Sequence, residues 1–135
     1  MRFRPLIYVR TALDPALPPG ARPVGPLPAA EPKPTSLTGQ SESTLEVWAD
    51  SHAETGIWEC EPGSFTAVRD GFHEICQILA GRATLTGEDG RVVELGPGST
   101  VVLPDGWRGT WDVHETIRKT YVTVRTGRQP TGGPA

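Results

Sequence analysis

Two cysteines, three histidines and no long apolar run mark this 135-residue chain, and each shortage removes a class of protein. Cys60 and Cys76 lie outside any CxxC spacing and outside a secretory context, so neither a disulfide framework nor a structural zinc knot is expected. The opening Met1-Arg-Phe-Arg-Pro-Leu-Ile-Tyr-Val-Arg10 holds four consecutive apolar residues between charges, too few for a signal peptide. No run approaches the roughly 18 residues that a membrane helix needs. A cytoplasmic protein without a membrane partner is expected. Concentrated positive charge is lacking too: residues 44–126 carry 13 acidic and 7 basic groups, and the largest basic excess, 5 against 3, lies in residues 1–43. Phosphates require a basic face, so a nucleic-acid partner is not expected. Lysine is scarce beside arginine, two against eleven, which points to a GC-rich bacterial source.

Glycine and proline, 16 and 14 residues, are plentiful in a chain whose length suits one domain. Nine prolines fall in the first 34 residues, where neither helix nor central strand can persist. Residues 1–43 therefore read as a Pro-rich leader, either disordered or laying an edge strand near 6–10, starting at Leu6, on the domain. Residues 127–135 read as a flexible tail. In residues 44–126 short apolar or alternating runs are separated by Gly81, Gly87-Glu-Asp-Gly90, Gly96-Pro-Gly98 and Pro104-Asp-Gly106. With β-branched and aromatic enrichment and no sustained 3.6-residue period, this predicts an all-β antiparallel sandwich or barrel. Strands are expected near 45–48, 56–60, 64–69, 73–80, 82–86, 91–95, 99–103, 108–113 and 117–125, with a hairpin across Gly87–Gly90. About 80 residues of strand and turn give a modest core, so a homodimer that buries an edge or an apolar face is expected.

Two segments carry a resemblance. Glu74-Ile-Cys-Gln-Ile-Leu-Ala-Gly81 and Gly98-Ser-Thr-Val-Val-Leu-Pro104-Asp-Gly106 resemble the paired motifs of the cupin superfamily, whose fold is a jelly-roll barrel, a double-stranded β-helix. Gly56-Ile-Trp-Glu-Cys-Glu-Pro-Gly63, Leu79-Ala-Gly-Arg-Ala-Thr-Leu-Thr86, Pro104-Asp-Gly-Trp-Arg-Gly-Thr-Trp111 and Ile117-Arg-Lys-Thr-Tyr-Val122 are similar to the branch named for (S)-ureidoglycine aminohydrolase, which includes ethanolamine-utilisation cupins. The resemblance spans roughly residues 45–125 and implies the fold more firmly than an activity.

Enzymes of the superfamily hold a metal with a His-x-His pair, the motif Glu and a second-motif His. The resemblance places that pair on Val68 and Asp70, or on Ala67 and Arg69 if the intervening loop is one residue longer, and the second-motif His on Gly109. Asp70 and Glu74 alone could ligate, a poor shell for Mn or Zn. No metal cofactor is expected, with a divalent metal as the alternative.

Strand parity places Glu74, Cys76 and Ile78 on the inner face and His73, Ile75 and Gln77 outside. Trp58 and Cys60 share a face, as do Gly109, Trp111 and Val113. Lys119 and Tyr121 lie inward if Ile117 and Thr123 do; the opposite face, Arg118 to Val124, is the more apolar at its end, so the pattern leaves the last strand open. A buried Glu74 has a raised pKa unless a cation such as Lys119 meets it. It is a candidate general acid or base or polar anchor, or a structural ion pair. Trp58, Cys60, Asp70, Cys76, Arg108, Trp111, Lys119 and Tyr121 are the candidate ligand-binding residues, with Arg108 either a plain surface arginine or one that reaches over the mouth to an anionic substrate. Cys60, Cys76, Trp58 and Trp111 read more readily as core, and His52 and His114 as solvated turn residues. Three functions remain: a metal-independent cupin that binds a small polar metabolite, with or without turnover at Glu74; a metal-dependent aminohydrolase acting on a ureido or amino acid derivative; or a structural or regulatory dimer whose leader engages another protein.

Overall fold

The computed structural model describes residues 25–131, and the edge strand expected near residues 6–10 lies outside them. Eight strands follow in chain order: β1 Glu31–Pro32, β2 Ser41–Ala49, β3 Ala53–Cys60, β4 Gly63–Val68, β5 Phe72–Gly87, β6 Val92–Leu95, β7 Thr100–Leu103 and β8 Arg108–Arg125. The described residues contain no helix, so none is long and apolar enough to cross a membrane. Every strand pairing among the described residues is antiparallel, in keeping with the jelly-roll expectation.

The architecture turns on β5 and β8, which pair along almost their whole length from Phe72↔Arg125 to Gly87↔Gly109. The first half of β5 also pairs with β7, and the last half of β8 with β3, which carries β2 and β1 beyond it. The second half of β5 pairs with β6, and the first half of β8 with β4. Two layers thus share two long strands, and their inner faces supply one core.

Sequence alone divides β5 at Gly81 and β8 near His114; the structure makes each one strand. The register shifts between Ile78 and Ala83, a bulged bend at which Gly81 has φ +84° and a Cβ would lie 2.1 Å from the Thr116 carbonyl oxygen. Glycine here permits the close crossing without ending the strand. His114 therefore sits on β8, not in a turn, and is exposed. The Gly87–Gly90 hairpin is as expected: the Gly90 amide donates to the Gly87 carbonyl and the Gly87 amide to that of Arg91.

The lower leader is built into the fold. β1 pairs with β2, the Ser36 side chain accepts from the amides of Thr38, Gly39 and Gln40, and Ser36 bridges to Phe65. The alternation Ser41-Glu-Ser-Thr is too polar for an apolar-run criterion to find the start of β2, yet Ser43 and Glu46 are buried on it. The core gathers Trp58, Phe65, Ile78, Leu85, Trp111, Ile117 and Tyr121 from both layers, each such side chain contributing about 1.5–3 kcal/mol by burial.

Candidate functional site

Period-two alternation dictates what faces the barrel interior. On β5 Glu74, Cys76 and Ile78 are buried while His73 and Gln77 are exposed and Ile75 is 42% exposed. On β8 Ile117, Lys119, Tyr121 and Thr123 point in, which settles the parity the sequence left open. The same alternation on β4, through Phe65 and Ala67, carries on to Arg69, whose side chain is 4% exposed. Arg69 was missed as a partner of Glu74, although Phe65 and Ala67 on its face were the signal.

These three strands bring Arg69, Glu74 and Lys119 together. Arg69 donates to Glu74 Oε1 through Nε at 2.8 Å and also through Nη2; Lys119 Nζ donates to Glu74 Oε2 at 3.0 Å. Glu74 is fully buried and Lys119 2% exposed. Burial alone would drive the Glu74 pKa up, but the charges of Arg69 and Lys119 and their hydrogen bonds outweigh it and hold the carboxyl well below the usual range. Both oxygens are engaged and no surface is open to solvent, so the arrangement does not fit the acid–base role considered from sequence.

Aromatic rings close around the ammonium. Lys119 Nζ stands 4.5 Å from the Trp58 ring centroid and 4.7 Å from that of Trp111. Trp58 meets Trp111 edge to face at 5.8 Å, and Phe65 stacks on Trp111 at 5.7 Å. Cation–π contacts of a desolvated ammonium contribute about 2 kcal/mol, so Trp58 and Trp111 serve core and cation alike. On the leader side Lys33 Nζ lies 4.4 Å from the Phe65 centroid and pairs with Glu42 at 2.8 Å, and Trp58 Nε1 donates to the same Glu42 oxygen at 2.8 Å. The indole Nε1 of Trp111 is buried without a hydrogen-bond partner among the described residues.

A transition metal does not fit this interior. The facing positions are Ala67 and Arg69, not Val68 and Asp70, and neither can ligate a cation. A Cβ on Gly109 would lie 2.4 Å from the Thr86 carbonyl oxygen and 2.7 Å from the Trp107 ring, so the second-motif position has no room for an imidazole. His52, His73 and His114 are exposed: His52 near the β2–β3 turn, His73 Nδ1 accepting from the Asp105 amide, His114 beside Thr84 Oγ1. No group of three His, Cys, Asp or Glu able to hold a metal occurs among the described residues.

The remaining candidates separate. Cys60 and Cys76 are free, buried thiols pushed up to about 11 by burial, hence inert as nucleophiles near neutrality. Tyr121 is buried and its hydroxyl donates to Glu54 Oε2 at 3.4 Å. Asp70 and Arg108 lie away from Glu74, in a groove of about 270 Å³ at the outer rim, which Arg69, Asp105 and Arg128 also line. The tail, read from sequence as loose after residue 126, is tied down there. Arg128 donates to Asp105 and Asp70, and Thr131 donates to Asp70 through its amide and hydroxyl, each at 2.8 Å. The hydrogen bonds from Arg128 hold both carboxyls below their usual range.

Comparison with known proteins agrees with the fold. The Clostridium difficile EutQ protein superposes with a TM-score of 0.58 at 20% identity, over 66% of this chain and 71% of its own. A putative ethanolamine utilization protein Q from Salmonella typhimurium LT2 gives 0.59 at 16% identity, over 74% of this chain and 100% of its own. A Pseudomonas syringae protein of the DUF861 family gives 0.62 at 20% identity, over 73% and 43%. At these identities the likeness shows the fold alone. No curated protein matches the chain. The family model of the EutQ-like cupin domain matches residues 48–121, more than half of the chain, and the protein therefore belongs to the EutQ-like cupin domain family.

Proposed function

We propose that this chain is a metal-independent cupin domain that binds a small polar metabolite at the rim of its barrel, with Glu74 as a fixed anion and not as an acid or base. One observation carries the reading: Lys119 and Arg69 engage both oxygens of Glu74 where the superfamily resemblance would put a metal. A covalently attached ammonium, gripped by a carboxylate and two indoles, supplies the interior positive charge. The kinship to the aminohydrolase-like branch is then one of scaffold, since metal-dependent release of ammonia needs donors that Ala67, Arg69 and Gly109 do not offer. A thermal-shift screen across classes of polar metabolites tests this: a saturable rise in Tm that neither chelator nor added Mn or Zn alters is expected. No stabilising compound in any class, or stabilisation that requires a metal, would contradict it.

A homodimer belongs to the same proposal. On the outer face, Val102, Ile75 and Val122 lie in register across β7, β5 and β8, and the row continues through Thr55 to Trp48. Val102 is 57% exposed and Trp48 43%. A two-fold axis at Ile75, flanked by one valine on each side, superposes the Val–Ile–Val row on itself, the self-complementarity an isologous interface requires.

A further inference from the structure

We propose that the rim groove is a binding site for a small monocarboxylate, with Arg108 as its counter-ion; this rests on the metabolite-binding reading above and assigns its site and ligand class. Three loop segments build the groove: Arg69–Gly71 after β4, Pro104–Trp107 before β8, and Thr126–Thr131 after it. They are joined by hydrogen bonds from the Gly106 amide to the Arg69 carbonyl, from the Gly71 amide to Asp105 Oδ1 and from the Thr126 amide to the Gly71 carbonyl. The walls are therefore held in place before any ligand arrives, which limits the ordering entropy of binding.

Charge decides the ligand. Arg128 is taken by Asp70 and Asp105, and Arg69 by Glu74. Among the described residues Arg108 is exposed and its guanidinium has no carboxylate partner. With Lys119 counted behind Arg69, four cations face three carboxylates, an excess of one positive charge. A monoanion neutralises it, and a planar carboxylate matches the guanidinium fork in two parallel hydrogen bonds. A dianion would leave a negative charge beside Asp70 and Asp105. The volume, about 270 Å³, lies just under the usual range for ligand pockets and suits a compound of few heavy atoms.

The test is an NMR titration of the full ¹⁵N-labelled chain with glycolate, lactate and oxamate, with malonate and inorganic phosphate at matched ionic strength. Saturable shifts at Val68, Asp105, Gly106 and Arg108 with a monocarboxylate are expected, weakened about tenfold or more in Arg108→Gln. Arg118→Gln, which alters an exposed arginine paired with Glu59, should leave them unchanged. Absence of saturation at the groove at tens of millimolar, equal affinity for phosphate, or full affinity in Arg108→Gln would overturn the assignment. Saturable shifts confined to other residues would overturn it while leaving metabolite binding intact.

Discussion

Lys119 Nζ sits 3.0 Å from Glu74 Oε2, an ion pair between the two long strands of the barrel, and Arg69 engages the other oxygen of the same carboxylate. Two cations on one buried anion leave this three-residue cluster with one positive charge in excess, so loss of Glu74 removes its sole carboxylate. Glu74→Gln is expected to destabilise the fold by about 3–5 kcal/mol, because it strands two buried cations. Lys119→Met, which leaves Glu74 paired to Arg69, should destabilise by less. Urea unfolding of the two variants checks the order; equal or reversed losses would show that the pair to Lys119 is not subordinate.

Acid sensitivity follows from the lowered Glu74 pKa. A carboxyl whose folded pKa lies below its unfolded value of about 4.3 contributes stability above that value and loses it as the pH falls toward the folded pKa. Asp70 and Asp105 are lowered as well, so the informative quantity is the difference between wild type and Glu74→Gln. That difference should be flat from pH 7 to about 5 and shrink below about 4.3. A difference that grows on acidification would have the wrong sign.

Much of this site was legible from alternation. Glu74 with Cys76 and Ile78, Trp58 with Cys60, and Trp111 with Val113 all face inward as the two-residue period requires. Arg69 escaped although the strand expected over 64–69 ends on it, because a charged residue at a strand end is ordinarily taken for surface; the inward face was marked by Phe65 and Ala67. Arg128 escaped because its partners Asp70 and Asp105 lie 58 and 23 residues away, a distance no local pattern spans. The continuity of β5 was hidden by Gly81, which usually ends a strand and here bends one, and that of β8 by the polar run His114-Glu-Thr116.

Metal content gives a separate check. Protein made without a metal-affinity tag should carry substoichiometric Mn, Fe, Ni and Zn, and none of these ions should raise Tm. A stoichiometric transition metal removed by chelation with loss of stability would contradict the donor-set argument.

Gly109 makes a steric prediction. Gly109→Ala should destabilise by about 1–3 kcal/mol, as overpacking does, since its Cβ would meet the Thr86 carbonyl oxygen and the Trp107 ring. A neutral effect in urea unfolding would mean the position has room for a ligand after all.

The outer apolar row can be probed by charge. Wild type is expected to sediment as a dimer, and Ile75→Glu as a monomer that retains its fold, because Ile75 is 42% exposed and lies at the centre of the row. A monomeric wild type in analytical ultracentrifugation would remove the dimer from the proposal.

The most direct measurement is a ¹³C NMR titration of the Glu74 side-chain carboxyl in the intact protein. A carboxyl locked between Arg69 and Lys119 should show no titration from neutrality down to the acid unfolding transition. A midpoint at or above the ordinary glutamate range would mean that Glu74 can carry a proton, and that the interior ion cluster is not the closed, cation-neutralised centre described for it.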